Sequence, residues 1–218
     1  MELNWGLDKK RKHDDEVSWG NQVPKKRRVT DLTSNHPMIY SINSEVHFST
    51  QINKETIEEM IKEISTIISV NKKKCETGTE KVEITYVVDS PGGCVLSVFK
   101  FVDFVKKVKK DHPNIVFKSV ITGLVASAGT IMCAVADTRQ MMPRAYAMIH
   151  ELSSGNSGKY THLISHTDFI KQLHETIVDI YMDHKCKKTR DELENLLKNE
   201  TWYNAKDYLK AGFVDEIL

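Results

Sequence analysis

No stretch of this chain stays apolar for long enough to cross a bilayer, and no signal-peptide pattern precedes its charged start. Neither a membrane protein nor a secreted one is expected. A dominant charge is missing too. Against 30 Asp and Glu stand 31 Lys and Arg, which leaves +1 overall on a chain with 28% charged residues. That balance calls for neither a nucleic-acid partner nor a membrane surface. The four cysteines, Cys75, Cys94, Cys133 and Cys186, form no C-x-x-C pair. A disulfide framework and a cysteine zinc site are therefore excluded, and a reducing, cytoplasmic setting is expected. Cys133 lies in an apolar helical run and belongs to the core. No internal repeat is visible, and neither a cofactor nor a metal is expected.

What is present begins with an uneven charge distribution. The 218 residues amount to one domain, or one domain plus a tail, with length enough to bury a core. Basic residues crowd the first thirty positions: Lys9-Lys10-Arg11-Lys12, then Pro24-Lys25-Lys26-Arg27-Arg28-Val29, with Asp14-Asp15-Glu16 between. Residues 1–36 have little periodic apolar content and are expected to form a flexible basic arm ahead of a folded domain at 37–218. Two readings of the arm stand side by side: a nuclear-import signal, or a solvated charged tail. The interspersed acids exclude a mitochondrial transit peptide. Trp5 and Trp19 are unusual in such a segment and are candidates for docking on a partner.

From residue 38 onward strands and helices alternate. A strand is expected around Val46-His47-Phe48. Asn53 then caps a helix with Ile57, Met60, Ile61, Ile64, Ile67 and Ile68 on one face. The lysine-rich stretch 71–78 is expected as a surface loop. A strand at 82–88 leads to Ser90-Pro91-Gly92-Gly93, and a helix burying Val95, Val98, Phe99, Val102 and Val105 follows. The apolar run 115–121 is expected as a strand ending at Gly123, ahead of Ser127 and an apolar helix. Tyr146-Ala147-Met148-Ile149 is a third strand, delivering His150. A long helix runs from about Thr161 to Lys185. Thr189 with Glu192, and Asn204 with Asp207, start two shorter ones, and Gly212 ends the last. This alternation means an α/β fold with a mostly parallel sheet flanked by helices.

Ser127 occupies a strand-to-helix junction, where unpaired N–H groups and the positive end of a helix dipole converge. A nucleophilic hydroxyl beside such donors is what acyl transfer needs. The ordinary reading of the same residue is a helix N-cap. His150 also stands at the carboxyl end of a strand, where open α/β sheets bind ligands; its ordinary reading is a loop histidine. Pro91-Gly92-Gly93 offers backbone N–H groups at the same edge, or is simply a tight turn.

Four segments in this order, Ser90-Pro91-Gly92-Gly93, Gly123 to Gly129, Met148-Ile149-His150 and Tyr208-Leu209-Lys210-Ala211-Gly212-Phe213-Val214-Asp215, resemble ClpP, the proteolytic subunit of the Clp protease. The likeness covers roughly residue 38 to the end. The G-x-S-x-G elbow of the α/β-hydrolases is absent, because Val125 stands at its first glycine. The resemblance implies a ClpP/crotonase-like subunit with a protruding helical handle, assembled as two stacked heptamers around a chamber and fed by an AAA+ unfoldase. It also implies a serine endopeptidase acting on unfolded polypeptides. Ser127 is then the nucleophile and His150 the base, with an oxyanion hole from the N–H groups of Gly93 and Ala128.

Three features depart from the family pattern. The third triad position, an Asp in the family, is Glu200 here, with Asp191 held in reserve. Glu151-Leu152-Ser153-Ser154-Gly155 replaces the usual Pro-Leu-Gly-Gly segment after the histidine. The basic arm bears no likeness to the family's axial loop. These departures motivate an alternative, a catalytically weak ring subunit acting as a scaffold or binding module. A third reading, crotonase-like chemistry on an acyl-thioester, leaves Ser127 and His150 without a purpose.

Overall fold

Val46 and Phe48 alternate with polar neighbours in Glu45–Phe48 (β2), which pairs antiparallel with Ile39–Ile42 (β1) so that the buried Ile39 faces Phe48. The structure is a computed structural model that describes residues 38–218 apart from Thr79 and Lys185. The expected arm, 1–36, lies outside the described residues. Helix α1, Lys54–Val70, begins with a capping box: Asn53 Oδ1 accepts from the Thr56 amide at 2.8 Å, and Thr56 Oγ1 accepts from the Asn53 amide at 2.9 Å. Its isoleucine stripe buries Ile57, Met60, Ile64 and Ile67.

The stretch expected as a loop at 71–78 is instead a short helix, α2, Lys72–Thr77. Two anchors explain it. Cys75 is buried, and the Asn114 side chain donates to the Lys74 carbonyl at 2.9 Å. Strand β3, Val82–Ser90, buries every second residue. Helix α3, Val95–Asp111, is rotated from the expected face: Phe101 and Val108 are buried with Val98, Val102 and Val105, whereas Val95 and Phe99 are half-buried.

Strand β4, Ile115–Ala126, does not end at Gly123 as expected; it bends there and continues. Gly123 adopts φ +54°, and a Cβ would lie 2.9 Å from the Asp89 carboxylate. That carboxylate instead accepts the Leu124 amide at 3.0 Å, across a register shift between β3 and β4. Helix α4, Ala128–Ala134, follows. Next come β5, Thr138–Met141; β6, Tyr146–Ile149; α5, Tyr160–Asp183; α6, Arg190–Lys198; β7, Thr201–Asn204; α7, Ala205–Ala211; and β8, Glu216–Ile217. The caps expected at Thr189–Glu192 and Asn204–Asp207 are both made.

The sheet runs β1-β2-β3-β4-β5-β8, with β6 pairing the far half of β4 and β7 pairing β6. Among the described residues, only the β1–β2 and β6–β7 pairs are antiparallel. The bend at Gly123 makes this possible: residues 118–121 of β4 pair with β5, and 124–126 pair with β6. Helix α5 buries residues only over its last two turns, at Ile177, Val178, Ile180 and Tyr181. Arg139 on β5, 3% exposed, ties the carboxy-terminal segment down. It grips Asp215 through two nitrogens, at 2.7 and 3.1 Å, and donates to the carbonyls of His184 and Gly212.

Candidate active site

Strand β4 delivers Ser127 in an unusual conformation, φ +53° and ψ −127°, at the N-cap of α4. A non-glycine residue persists there only where its surroundings over-determine it. Here the Ser127 amide donates to the Met148 carbonyl at 2.9 Å, and its own carbonyl accepts from the Thr130 amide at 2.9 Å and hydroxyl at 2.6 Å. The side chain makes no capping hydrogen bond. Instead Ser127 Oγ lies 2.8 Å from Nε2 of His150, the residue following β6. The N-cap role expected as the ordinary alternative is not what this hydroxyl does. With Nε2 unprotonated, the serine O–H donates to the ring, which is the contact a base needs to take its proton.

The glycine turn packs against this pair from the β3 side. A Cβ on Gly92 would sit 2.5 Å from the Ala126 carbonyl oxygen and 2.8 Å from Ser127 Cβ, and one on Gly93 would sit 2.1 Å from the Ile52 carbonyl oxygen. The close approach is held by two hydrogen bonds of 2.8 Å, Ile52 amide to Gly92 carbonyl and Cys94 amide to Ile52 carbonyl. Among the described residues, neither the Gly93 nor the Ala128 amide donates to a protein acceptor. Gly93 and Ala128 line, with Ser127, His150 and Tyr181, a cavity of about 80 Å³. Two free amides beside an activated hydroxyl are the elements of an oxyanion site.

The third expected member is placed differently. The β6–β7 ladder pairs Ile149 with Thr201, so Glu200 stands one step along from the paired residues, beside His150. Yet no hydrogen bond joins the two side chains. The exposed Glu200 accepts from Trp202 Nε1 at 3.3 Å. Its backbone, at φ +43°, and one methylene more than Asp carry the carboxylate to the indole instead. Asp191, the reserve candidate, is exposed in the first turn of α6, where it favours the helix dipole, and makes no bond to His150 either.

Sequence reasoning missed two contributors. The Tyr181 hydroxyl meets the Thr130 hydroxyl at 2.5 Å, joining α5 to the helix that starts at Ser127. Burial holds the Tyr181 phenol well above its ordinary value, so it stays neutral. Trp202 marks position 200 in the sequence, but nothing local reveals its hydrogen bond. Burial likewise pushes the Cys133 thiol up and removes it as a competing nucleophile. A second cavity of about 400 Å³ shares Glu151 and Leu152 with the first and extends along α5 past Ile170 and His174. Within it Ser154 Oγ and His166 Nε2 lie 3.0 Å apart, so the segment that replaces the family's Pro-Leu-Gly-Gly is tied to α5.

Comparison with known proteins bears on the family of the chain. Residues 34–218 match the family model described as Clp protease. The ATP-dependent Clp protease proteolytic subunit 1 of Chlamydia trachomatis serovar D is 28% identical over 177 residues, which is 79% of this chain and 85% of that one. The proteins of the same name from Chlamydia muridarum and Chlamydia abortus are 31% and 32% identical over 139 residues, 62% of this chain and 69% of each relative. With the family model spanning most of its length, the chain belongs to the Clp protease family.

Proposed function

We propose that this chain is a serine endopeptidase in which Ser127 attacks the scissile carbonyl and His150 takes its proton, later returning it to the leaving amine. The observation that carries the reading is the 2.8 Å contact between Ser127 Oγ and His150 Nε2 at a junction where the hydroxyl is not used as a cap. The amides of Gly93 and Ala128 hold the developing oxyanion, and Glu200, at the step next to His150, is the carboxylate that would orient the imidazole on leaving Trp202. The substrate is an extended polypeptide, and the 400 Å³ cavity beside Leu152 takes one of its side chains. Family membership supports an oligomer, two stacked heptamers, working with an AAA+ unfoldase. Exposed apolar residues along the outer part of α5, Tyr160, Leu163, Ile164 and Phe169, give such an assembly something to bury.

A fluorophosphonate probe tests the reading. Wild-type protein is expected to be labelled at Ser127, and Ser127→Ala to lose both labelling and peptide cleavage, the latter on the order of ten-thousand-fold or more. An unlabelled wild-type oligomer refutes the peptidase. One observation favours a second reading, a ring subunit with little hydrolytic activity: among the described residues no carboxylate is hydrogen-bonded to His150. That reading expects normal assembly without Ser127-dependent turnover.

A further inference from the structure

We infer that Trp202 is a positioning residue that withholds Glu200 from His150 and so sets the resting rate of the site. The inference rests on the peptidase reading above. Its first ground is that the Glu200 carboxylate already has a donor, Trp202 Nε1 at 3.3 Å, while among the described residues the His150 ring is hydrogen-bonded only to Ser127. Its second is position: the ladder that pairs Ile149 with Thr201 brings Glu200 to the step next to His150, and a rotation of its side chain is the movement we assign to the exchange of partners. Its third is the left-handed backbone at Glu200, φ +43°, on the residue that turns the chain from α6 into β7. A backbone strained in this way is held in place by its surroundings, and the choice of partner falls to the side chain.

Glu200 thus has two arrangements, docked on the indole or engaged with the imidazole. Both keep the Ser127–His150 contact. Only the second gives the imidazolium formed during attack a neighbouring negative charge. Trp202 is 55% exposed, so its hydrogen bond competes with water and is weak. One weak bond shifts a two-state balance by a small factor, enough for a brake that substrate or assembly can release.

The experiment compares kcat and KM for a fluorogenic peptide among wild type, Trp202→Phe, Glu200→Gln and the double variant. Phenylalanine keeps an aromatic ring opposite Met148 and removes only the donor. Trp202→Phe is expected to raise kcat roughly two- to tenfold with KM unchanged. The same substitution in the Glu200→Gln background is expected to change nothing. A merely structural role for Trp202 would lower the rate, and would do so in both backgrounds. An unchanged or reduced kcat in Trp202→Phe, or an equal rise in both backgrounds, overturns the inference. Fluorophosphonate labelling separates the two levels: labelled protein with no Trp202 effect sinks this inference alone, whereas unlabelled wild type sinks the peptidase and this inference with it.

Discussion

Arg139 shows how one side chain decides a local structure. A guanidinium 3% exposed must have its donors satisfied, and here they go to Asp215 and to two carbonyls at the ends of α5 and α7. Arg139→Leu removes the guanidinium donors from Asp215 and from both carbonyls, while Asp215 Oδ2 keeps the backbone amide of residue 139 at 2.9 Å. The expected cost is about 2–3 kcal/mol, below the 3–5 typical when a fully buried pair is broken, because Asp215 is partly solvated. A urea midpoint shift measures it, and an unchanged midpoint contradicts it. This network also explains the aspartate that closes the Gly-x-Val-Asp segment, which the sequence displays without its reason. Ser127 and His150 were legible because each stands at the end of an apolar strand. The orientation of Glu200 was not legible. It depends on a rotamer and on an indole two residues away, neither of which leaves a periodic trace.

Among the elements, legibility followed the range of the forces involved. Helix α1 announces itself through Asn53, Thr56 and an isoleucine stripe, all local. Strand β5, Thr-Arg-Gln-Met, carries one apolar residue in four and exists because β4 and β8 pair with it. Strands β7 and β8 are similarly short and depend on their neighbours. The helix α2 was hidden behind three lysines because its single apolar anchor is Cys75. The end of α5 carries a pH dependence. Among the described residues, His184 Nε2 is buried without a hydrogen-bond partner; burial first, then Lys106, Lys109 and Arg139, hold its pKa below the ordinary histidine value, with Asp183 opposing. Unfolding lets the ring charge at its normal pKa of about 6.5. Stability is therefore full above that value and declines as pH falls below it. The melting temperature is expected to drop between pH 7.5 and 5.5, and His184→Gln to flatten that drop. Parallel curves for the two proteins would show that another group is responsible.

For the whole molecule, two basic clusters stand before residue 37. We propose that residues 1–36 carry a nuclear-import signal, since two basic groups separated by a short spacer suit an acidic receptor groove. A fluorescent reporter fused to these residues is expected to enter nuclei, and one remaining in the cytoplasm disproves the proposal. The hydroxyl pair between Tyr181 and Thr130 has a mechanical consequence. One end of α5 presents Tyr160, Leu163, Ile164 and Phe169 to whatever grips it; the other is latched three residues beyond the nucleophile. The inner end of α5 is therefore fastened to the helix that starts at Ser127, so that a displacement of the one bears directly on the other.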